Sequence, residues 1–350
     1  MQGVRIGFLV LVLSGAVALA GCGGSKTAAV PATTSVSHRY HHYMNQVTWS
    51  PDGAQIAWTE GRGGPKSWIW IASSNGSNAH RVTKFIDALF QFAWLPGNQL
   101  LYDADFQLFR LPLGTLRPVL LETISDSNFT TNRAGTIIAW GTPICPLCGG
   151  PITVRSLVGG QPTLIGGRKV QNYSPTLSPD GRLVAFSRTF WSKAGGEYDQ
   201  PAGIWVSSTA GGPLKRFTRS GNSPSWSPDG RQLVYIDGSN LRLISASGGS
   251  KVLLLHRNAI NLSTPPTWSP DSRSVAVVST TGSSPGRLFV VNVATHRVKA
   301  VTGTAIGSVS EFAWSPNSTT LLVTAQSKTD CSILWAINVS GSAERLRRTC

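Results

Sequence analysis

The stretch Pro-Ser-Trp-Ser-Pro-Asp-Gly-Arg-Gln-Leu-Val-Tyr at residues 224–235 decides the fold of this chain. It predicts a short strand that ends at Trp226, then a tight turn, then a second apolar strand. In the turn, Pro228 presets φ at the first corner, Asp229 bonds back to nearby backbone amides, and Gly230 tolerates positive φ. The stretch is therefore a β-hairpin.

The same hairpin recurs along the chain. The positions equivalent to Pro228 are, in chain order, Pro51, Pro96, Arg133, Pro179, Pro228, Pro270 and Pro316. They are separated by 45, 37, 46, 49, 42 and 46 residues. The second and third copies are degenerate: the second keeps only Trp94 and its proline, and the third keeps only Gly135. A self-repeat with this period indicates a solenoid or a propeller.

Each repeat continues with a third apolar strand, a Gly- or Ser-rich turn and a shorter, more polar fourth strand, as in residues 204–206 and 214–218. No stretch of these repeats has helical periodicity. A twisted four-stranded sheet cannot cover both of its faces alone, whereas radial stacking covers them. We therefore predict an all-β fold, a seven-bladed β-propeller of four-stranded antiparallel blades, over residues 46–350. Tryptophans at the strand ends are expected to pack between the blades.

The Trp-Ser-Pro-Asp-Gly repeat, followed by an apolar strand, resembles the WD40-like Pro-Asp repeat of TolB-type propellers. The resemblance covers about residues 46 to 350, with close matches at Pro51, Pro179, Pro228 and Pro270. It is specific for the fold and weak for function. TolB itself carries an α/β domain before its propeller, whereas only some 23 residues separate Cys22 from the first repeat here. Interactions of that domain are therefore not carried over.

The N-terminal residues have the pattern of a targeting signal. Arg5 precedes an apolar run from Ile6 to Ala20 that is short for a bilayer span, and residues 19–22 read Leu-Ala-Gly-Cys. This resembles a bacterial lipoprotein signal, which implies cleavage after residue 21 and lipidation of Cys22. The alternative is an ordinary signal peptide with an incidental cysteine. We expect a signal peptide at 1–21, a flexible tether at 22–45, and a protein anchored on the outer side of a bacterial cell membrane.

The charge balance restricts the partners. The net charge is +15, which favours anionic surroundings such as lipid headgroups or wall polymers. No run of basic residues and no recognition helix accompanies it, so nucleic acid is not expected. The expected partners are an envelope protein or an anionic or glycan polymer, and the chain is expected to be a monomer.

Histidines and cysteines offer few metal sites. His38, His41 and His42 lie close together, but no carboxylate or cysteine lies near them in sequence, so we expect no metal.

Two cysteines lie in the last repeat: Cys331 at the start of its third strand and Cys350 at the end of its fourth strand. If the Ser-Gly at 340–341 is a two-residue turn, these two cysteines face each other, which predicts a disulfide.

A second cysteine pair, Cys145 and Cys148, lies in a loop of the third repeat. A CxxC pair is catalytic when it opens a helix in a βαβ unit, and zinc needs a second pair. The repeats provide neither context. We expect a local structural disulfide.

Catalytic motifs are mostly missing. The sequence Gly-Ser-Ser-Pro-Gly at 282–286 fits the pattern of a nucleophile elbow, but it joins two strands and contains proline, so it reads as a turn. No phosphate loop, H-E-x-x-H or EF-hand loop appears, and no cofactor is expected. The recurring turn aspartates are explained by their turns.

Binding is the expected activity. Loops that join each fourth strand to the next first strand converge on one mouth of a propeller channel, where aromatic and amide groups suit a peptide or sugar. The candidate ligand-binding residues are Phe90, Gln91, Asn128, Asn172, Tyr173, Asn222, Asn261 and Glu311. The leading hypothesis is a non-enzymatic, lipid-anchored binding or scaffold module with no catalytic residue. The alternatives are a propeller enzyme of the polysaccharide lyase or hydrolase type, with its site at that mouth, and an accessory subunit of an envelope complex.

Overall fold

The computed structural model describes residues 42–62, 66–124, 129–141, 150–167, 170–191, 198–256, 261–262, 264–280, 286–303 and 305–350. These residues belong to one compact unit, Tyr40–Cys350. The expected signal peptide, the lipidated Cys22 and most of the expected tether lie outside the described residues. The first strand starts at His42, four residues before the expected boundary at 46.

The described residues form seven antiparallel sheets, and each is built from strands that follow one another in the chain. Blades 1 to 4 contain, in order, β1 (His42–Trp49), β2 (Gln55–Arg62), β3 (Lys66–Ser73), β4 (His80–Arg81) and β5 (Ile86–Asp87); β6 (Leu89–Leu95), β7 (Gln99–Ala104), β8 (Gln107–Pro112) and β9 (Val119–Thr123); β10 (Phe129–Thr131), β11 (Ile137–Gly141), β12 (Ile152–Ser156) and β13 (Thr163–Ile165); β14 (Gln171–Leu177), β15 (Leu183–Trp191), β16 (Tyr198–Ser208) and β17 (Lys215–Arg216).

Blades 5 to 7 contain β18 (Asn222–Trp226), β19 (Gln232–Asp237), β20 (Asn240–Ser245) and β21 (Lys251–His256); β22 (Asn261–Leu262), β23 (Thr267–Trp268), β24 (Ser274–Thr280), β25 (Arg287–Asn292) and β26 (Val298–Ala300); β27 (Ser308–Trp314), β28 (Thr320–Gln326), β29 (Ser332–Asn338) and β30 (Ala343–Thr349). The predicted all-β, seven-bladed propeller is confirmed. Within the described part of the chain, no helix has the length and apolar character needed to cross a membrane.

The repeated turn is held by its own side chains. In blade 5, the Ser227 hydroxyl donates to Asp229 Oδ1 at 2.6 Å and accepts the Gln232 N–H at 3.0 Å. Asp229 Oδ1 also accepts the Arg231 N–H at 3.0 Å. Equivalent bonds occur in the turns that begin at Ser50, Ser178, Ser269 and Ser315. The turn aspartates are therefore structural residues. Accordingly, the hydrogen bond from Ser178 lowers the pKa of Asp180.

The core is divided among the spaces between neighbouring blades. Seven apolar clusters fill these spaces, one for each pair of adjacent blades. Between blades 4 and 5, for example, Val206 and Ile204 pack against Trp226 and Tyr235. Trp226, Trp268 and Trp314, at the ends of first strands, are buried. The predicted packing of strand-end tryptophans between blades is confirmed.

The ring closes without a shared strand, because blade 1 uses only the first strands of the described chain and blade 7 only the last ones. Side-chain contacts join blade 7 to blade 1 instead. Arg347 Nη2 in β30 lies 3.0 Å from Glu60 Oε2 in β2, and the guanidinium lies 4.2 Å from the centre of the Trp70 ring. A disulfide joins Cys331 to Cys350, with their Cα atoms 4.2 Å apart. It fixes the end of the chain to its neighbouring strand.

Candidate functional site at the channel mouth

Strand direction gives the propeller two different channel mouths. The first strands contact one another around the channel. The repeated Ser-Pro turns lie at one end, which we call the turn mouth. The starts of the first strands lie at the other end, together with the loops that connect second to third strands. We call this end the loop mouth.

Seven equivalent positions of the sequence bear on the loop mouth. Each lies five positions before the turn proline of its repeat, or before Arg133 in the third repeat. They are Gln46, Gln91, Asn128, Ser174, Ser223, Pro265 and Glu311. All except Asn128, which is outside the described residues, line one cavity of about 530 Å³. We call this set the loop-mouth ring.

Bulges in the first strands aim the ring into the channel. The pairing of first and second strands shifts register between Asn45 and Val47, and again between Val309 and Glu311. The same shift occurs in blades 2, 4 and 5. A bulge bends the strand and redirects a side chain, and bulges are common beside active sites. Ser174 and Ser223 accordingly have φ of 48° and 50°.

The two glutamines of the ring connect neighbouring blades. Gln46 Oε1 accepts the N–H of Phe92 at 3.1 Å, and its amide nitrogen donates to the Phe90 carbonyl. Gln91 accepts the N–H of Phe129 and donates to its carbonyl, both at 2.9 Å. These bonds hold the wall of the mouth rigid on the side of blades 1 to 3.

Glu311 is the charged residue among those that line this cavity. Its side chain is half-buried, and burial raises the pKa of its carboxyl above the ordinary value. Among the described residues, none forms a hydrogen bond or ion pair with this carboxylate. Pro175, Pro224 and Pro265 lie in the same wall and offer no N–H groups. A carboxyl with a raised pKa and free oxygens is suited to exchange a proton with a bound molecule.

The structure brings only part of the expected set together. Gln91 and Glu311 line the cavity. Phe90 is exposed beside it and packs against Phe106, with ring centres 5.5 Å apart and the ring planes tilted by 36°. Tyr173 is half-buried, and burial raises its pKa. Asn222 pairs with Ile236 at the start of β18.

Asn172 has a structural role. Its side chain is buried, donates to the Gly150 carbonyl at 2.6 Å and accepts from Arg188 Nε at 2.8 Å. It therefore does not face the mouth as expected. Asn261 lies in β22, where only the backbone is described, and Asn128 lies outside the described residues. Cys145, Cys148, His38 and the Gly-Ser-Ser-Pro motif also lie outside them.

Sequence reasoning missed Gln46, Ser174, Ser223 and Pro265. It searched the loops before the first strands, whereas the ring lies inside those strands, at their bulges. A usable signal was present in the sequence, because counting five residues back from each turn proline finds every member. Pro224, inside a predicted strand, also marked the irregular backbone.

The turn mouth has a different chemistry. Its cavity, of about 400 Å³, is lined by turn prolines, by the tryptophans Trp49, Trp226, Trp268 and Trp314, and by Arg133. It contains no carboxylate or histidine to move a proton. Nor do the described residues contain a group of three or more His, Cys, Asp or Glu that could hold a metal ion.

Comparisons with known proteins agree on the fold. No protein-family model matches the chain. Oligogalacturonate lyase from Vibrio parahaemolyticus superimposes with a TM-score of 0.65 at 13% identity, covering 86% of this chain and 90% of the lyase. An oligogalacturonate lyase in complex with manganese gives a TM-score of 0.65 at 17% identity, covering 85% of this chain and 89% of the lyase.

Peptidases also share the fold. The puromycin-hydrolyzing peptidase of Mycobacterium tuberculosis gives a TM-score of 0.67 at 14% identity, covering 89% of this chain and 53% of the peptidase. The uncharacterized peptidase YuxL of Bacillus subtilis is 28% identical over 117 residues, which are 31% of this chain and 17% of YuxL. The chain thus spans about half of the first peptidase, and its match covers a small part of YuxL.

The TolB-type resemblance extends to the structure. A protein of Agrobacterium tumefaciens assigned as a TolB gives a TM-score of 0.50 at 20% identity, covering 69% of this chain and 91% of that protein. The chain has a TolB-like propeller. These likenesses do not bear on the lipid anchor.

The comparisons correct one expectation. The sequence analysis expected a non-enzymatic module, but the similar proteins are lyases and peptidases, and the curated relative is a peptidase. The expectation that the chain is not an enzyme was therefore wrong. It rested on missing linear motifs, and propeller residues that meet in space come from different repeats.

Proposed function

We propose that this chain is a hydrolase whose site is the loop mouth and whose proton-transferring residue is Glu311. The observation that carries the proposal is the Glu311 carboxyl, which is half-buried, has a raised pKa and lines the cavity among uncharged residues. The protonated carboxyl gives its proton to the leaving group. For a glycan, the C–O bond breaks as the leaving oxygen takes this proton, and the resulting carboxylate then takes a proton from the water that attacks the sugar carbon. For a peptide the order is reversed: the carboxylate first takes a proton from the water that adds to the carbonyl carbon, and it returns a proton to the leaving amine as the C–N bond breaks.

The coverage of the lyases supports a self-contained site. This chain corresponds to about nine tenths of an oligogalacturonate lyase, so a propeller of this size makes up most of that enzyme. By contrast, it corresponds to 53% of the mycobacterial peptidase. A site formed by the propeller alone therefore has a better parallel in the lyase than in the peptidase.

The substrate class follows from the charge of the cavity. Elimination from a uronate requires groups that neutralise its carboxylate. Among the described residues, no Lys or Arg lines the cavity, and Glu311 repels an anion. Manganese needs several oxygen or nitrogen ligands, whereas the described lining offers a single carboxylate. The residues do not fit that metal, and we route no step through it. We propose a neutral glycan or a peptide, whose hydroxyl or amide groups suit Ser174 and Ser223.

The test is turnover by the purified chain of neutral oligosaccharides and of peptides, assayed separately. Glu311→Gln keeps the shape of the residue and removes the proton, so kcat should fall by about 100-fold or more. Glu344→Gln is the matched control, because it changes an exposed carboxylate on the outer strand β30. Absence of turnover on both substrate classes, or full activity of Glu311→Gln, would overturn the proposal.

We also propose that the protein is exported and anchored through lipid on Cys22. Residues 19–22 support this, and so does the Cys331–Cys350 disulfide, since disulfides persist in oxidising compartments. Metabolic labelling with a radioactive fatty acid should label the wild type and leave Cys22→Ser unlabelled. Equal labelling of both proteins would refute the anchor.

A further inference from the structure

Three phenylalanines are exposed at the loop-mouth end of blades 1 and 2. Phe85, Phe90 and Phe106 expose 43%, 40% and 44% of their surface. Phe85 lies in the wall of a groove between the two blades, and the neighbours of Phe106 form the opposite wall. We call these three residues the aromatic patch. Exposed aromatic rings grouped at one end of a protein mark an interaction surface.

The backbone of Phe106 shows that the fold does not require this patch. Asp105 and Phe106 form the two-residue turn between β7 and β8, with φ of 51° and 58°. Glycine and asparagine favour such a turn, whereas a bulky side chain in this conformation costs on the order of 1 kcal/mol. The corresponding turn of blade 5 uses Gly238. An exposed aromatic ring held in a strained turn therefore points to a function at the surface.

Charged residues of both signs lie beside the patch, and one of the lysines contacts an aromatic ring. Lys66 Nζ lies 4.7 Å from the centre of the Phe85 ring, and Lys84 is exposed next to Phe85. Asp87 and Asp105 are also exposed there, so the local surface is mixed, but the chain as a whole carries a net charge of +15. Aromatic rings beside lysines suit the interface of a membrane with anionic headgroups.

The position of the N-terminus favours the same partner. β1 begins at His42, at the loop-mouth end, where the patch also lies. His42 lies twenty positions after Cys22. Twenty residues reach at most about 70 Å even when fully extended. A lipid on Cys22 would therefore keep this end of the propeller close to the bilayer.

We infer that the aromatic patch docks the propeller on an anionic membrane surface, with its rings among the headgroups. This inference goes beyond the proposed hydrolase and rests on different residues. Phe90 directly precedes Gln91 of the loop-mouth ring, so docking brings the rim of the cavity to the membrane. The substrate would then be met in the layer next to the bilayer.

The test uses the mature chain with Cys22→Ser, so that no acyl chain contributes to binding. All described strands lie after residue 41, so this chain retains every blade. Binding is measured by flotation with vesicles of phosphatidylglycerol and phosphatidylcholine, and with vesicles of phosphatidylcholine alone. The wild type should bind the anionic vesicles more strongly. Phe106→Gly should weaken that binding about tenfold, as expected for one lost aromatic ring.

Phe106→Gly is informative because it relieves the strained turn, so its melting temperature should not fall. Val158→Ser is the control, since Val158 is 88% exposed in a turn at the other end of blade 3. Failure of the wild type to bind either vesicle, or equal loss in Phe106→Gly and Val158→Ser, overturns the inference. So does patch-dependent self-association in sedimentation without vesicle binding. Glu311→Gln should bind vesicles normally, which separates this result from that for the hydrolase.

Discussion

Arg347→Leu tests how the ring is held shut. Arg347 belongs to the last strand of blade 7, and its Nε and Nη2 atoms lie 3.1 Å and 3.0 Å from Glu60 Oε2 in blade 1. The guanidinium also covers the Trp70 ring. Blades 1 and 7 share no strand, so these contacts supplement the apolar cluster between them. Removal of the cation leaves a carboxylate without its guanidinium in the joint.

The expected loss follows from the burial of the two groups. The Glu60 side chain is 8% exposed and the Arg347 side chain is 28% exposed. Breaking a fully buried pair by removing one partner costs about 3–5 kcal/mol. The exposed part of Arg347 is screened by water, so we expect a loss of about 2–3 kcal/mol in the free energy of unfolding. For a propeller of this size, that corresponds to a fall of about 3–5 °C in Tm.

The assay is urea unfolding followed by tryptophan fluorescence. Arg242→Leu is the control, since the Arg242–Asp237 pair, at 2.7 Å, lies within one hairpin of blade 5 and is more exposed. Its loss should cost about 0.5–1 kcal/mol. The double variant Glu60→Gln, Arg347→Leu should be more stable than Arg347→Leu alone, because the buried carboxylate is gone. Equal losses for Arg347→Leu and Arg242→Leu would refute this account of closure.

Three further predictions concern stability. Replacing both Cys331 and Cys350 with serine opens a link between residues 19 apart and should lower the free energy of unfolding by about 3 kcal/mol, measured in urea against the oxidised wild type. Because burial raises the pKa of Glu311, its stabilising contribution is complete below the unfolded pKa and is lost as pH rises through the native pKa; Glu311→Gln should therefore raise Tm at pH 7.5 and not at pH 4. Gly307→Ala, at φ 92° and with an added Cβ that would clash with the Gln326 carbonyl oxygen, should cost about 3 kcal/mol or more. Gly303→Ala, with open space around it, should be neutral in the same melting assay.

The blade architecture was predictable because its signal is local and repeated. The serine, aspartate and glycine of each turn act within six residues, so one repeat contains all the information that its hairpin needs. Even the degenerate third repeat has a local substitute, since Asn132 Oδ1 accepts the N–H groups of Thr136 and Ile137. Local chemistry of this kind is visible in a sequence.

The cysteine register shows a correct pairing reached through an incorrect detail. The predicted pairing of Cys331 with Cys350 assumed a two-residue turn at 340–341. In the structure the Asn338 N–H donates to the Ser342 carbonyl, which closes a longer turn. A bulge between Leu334 and Trp335 shifts the register back by one residue. The two irregularities cancel, and the cysteines face each other. A bulge of this kind leaves no mark in the composition of the strand.

The candidate site was less predictable because it is defined across repeats. Glu311 and Gln46 are 265 positions apart in the sequence and share one cavity only because the ring closes. Burial raises the pKa of Glu311, and the residues that line the cavity with it come from other blades. Neither effect is encoded near the residue itself. The outward Phe90, within the bulge of β6, and the buried Asn172, just before the bulge of β14, were likewise indistinguishable in the sequence, since a bulge leaves no mark there.

The comparison of the seven repeats with one another explains why the two mouths can serve different purposes. At the turn mouth, most repeats use the same serine, proline and aspartate or asparagine, because these side chains hold the turn of the hairpin. At the loop-mouth ring, the seven residues include two glutamines, an asparagine, two serines, a proline and a glutamate. Folding does not fix this position, since each of these residues occupies it in an intact blade. The Glu311 carboxylate therefore makes one repeat of the ring chemically different from the others. It does so at a position where the fold does not require a particular residue, and such a position can be used for catalysis.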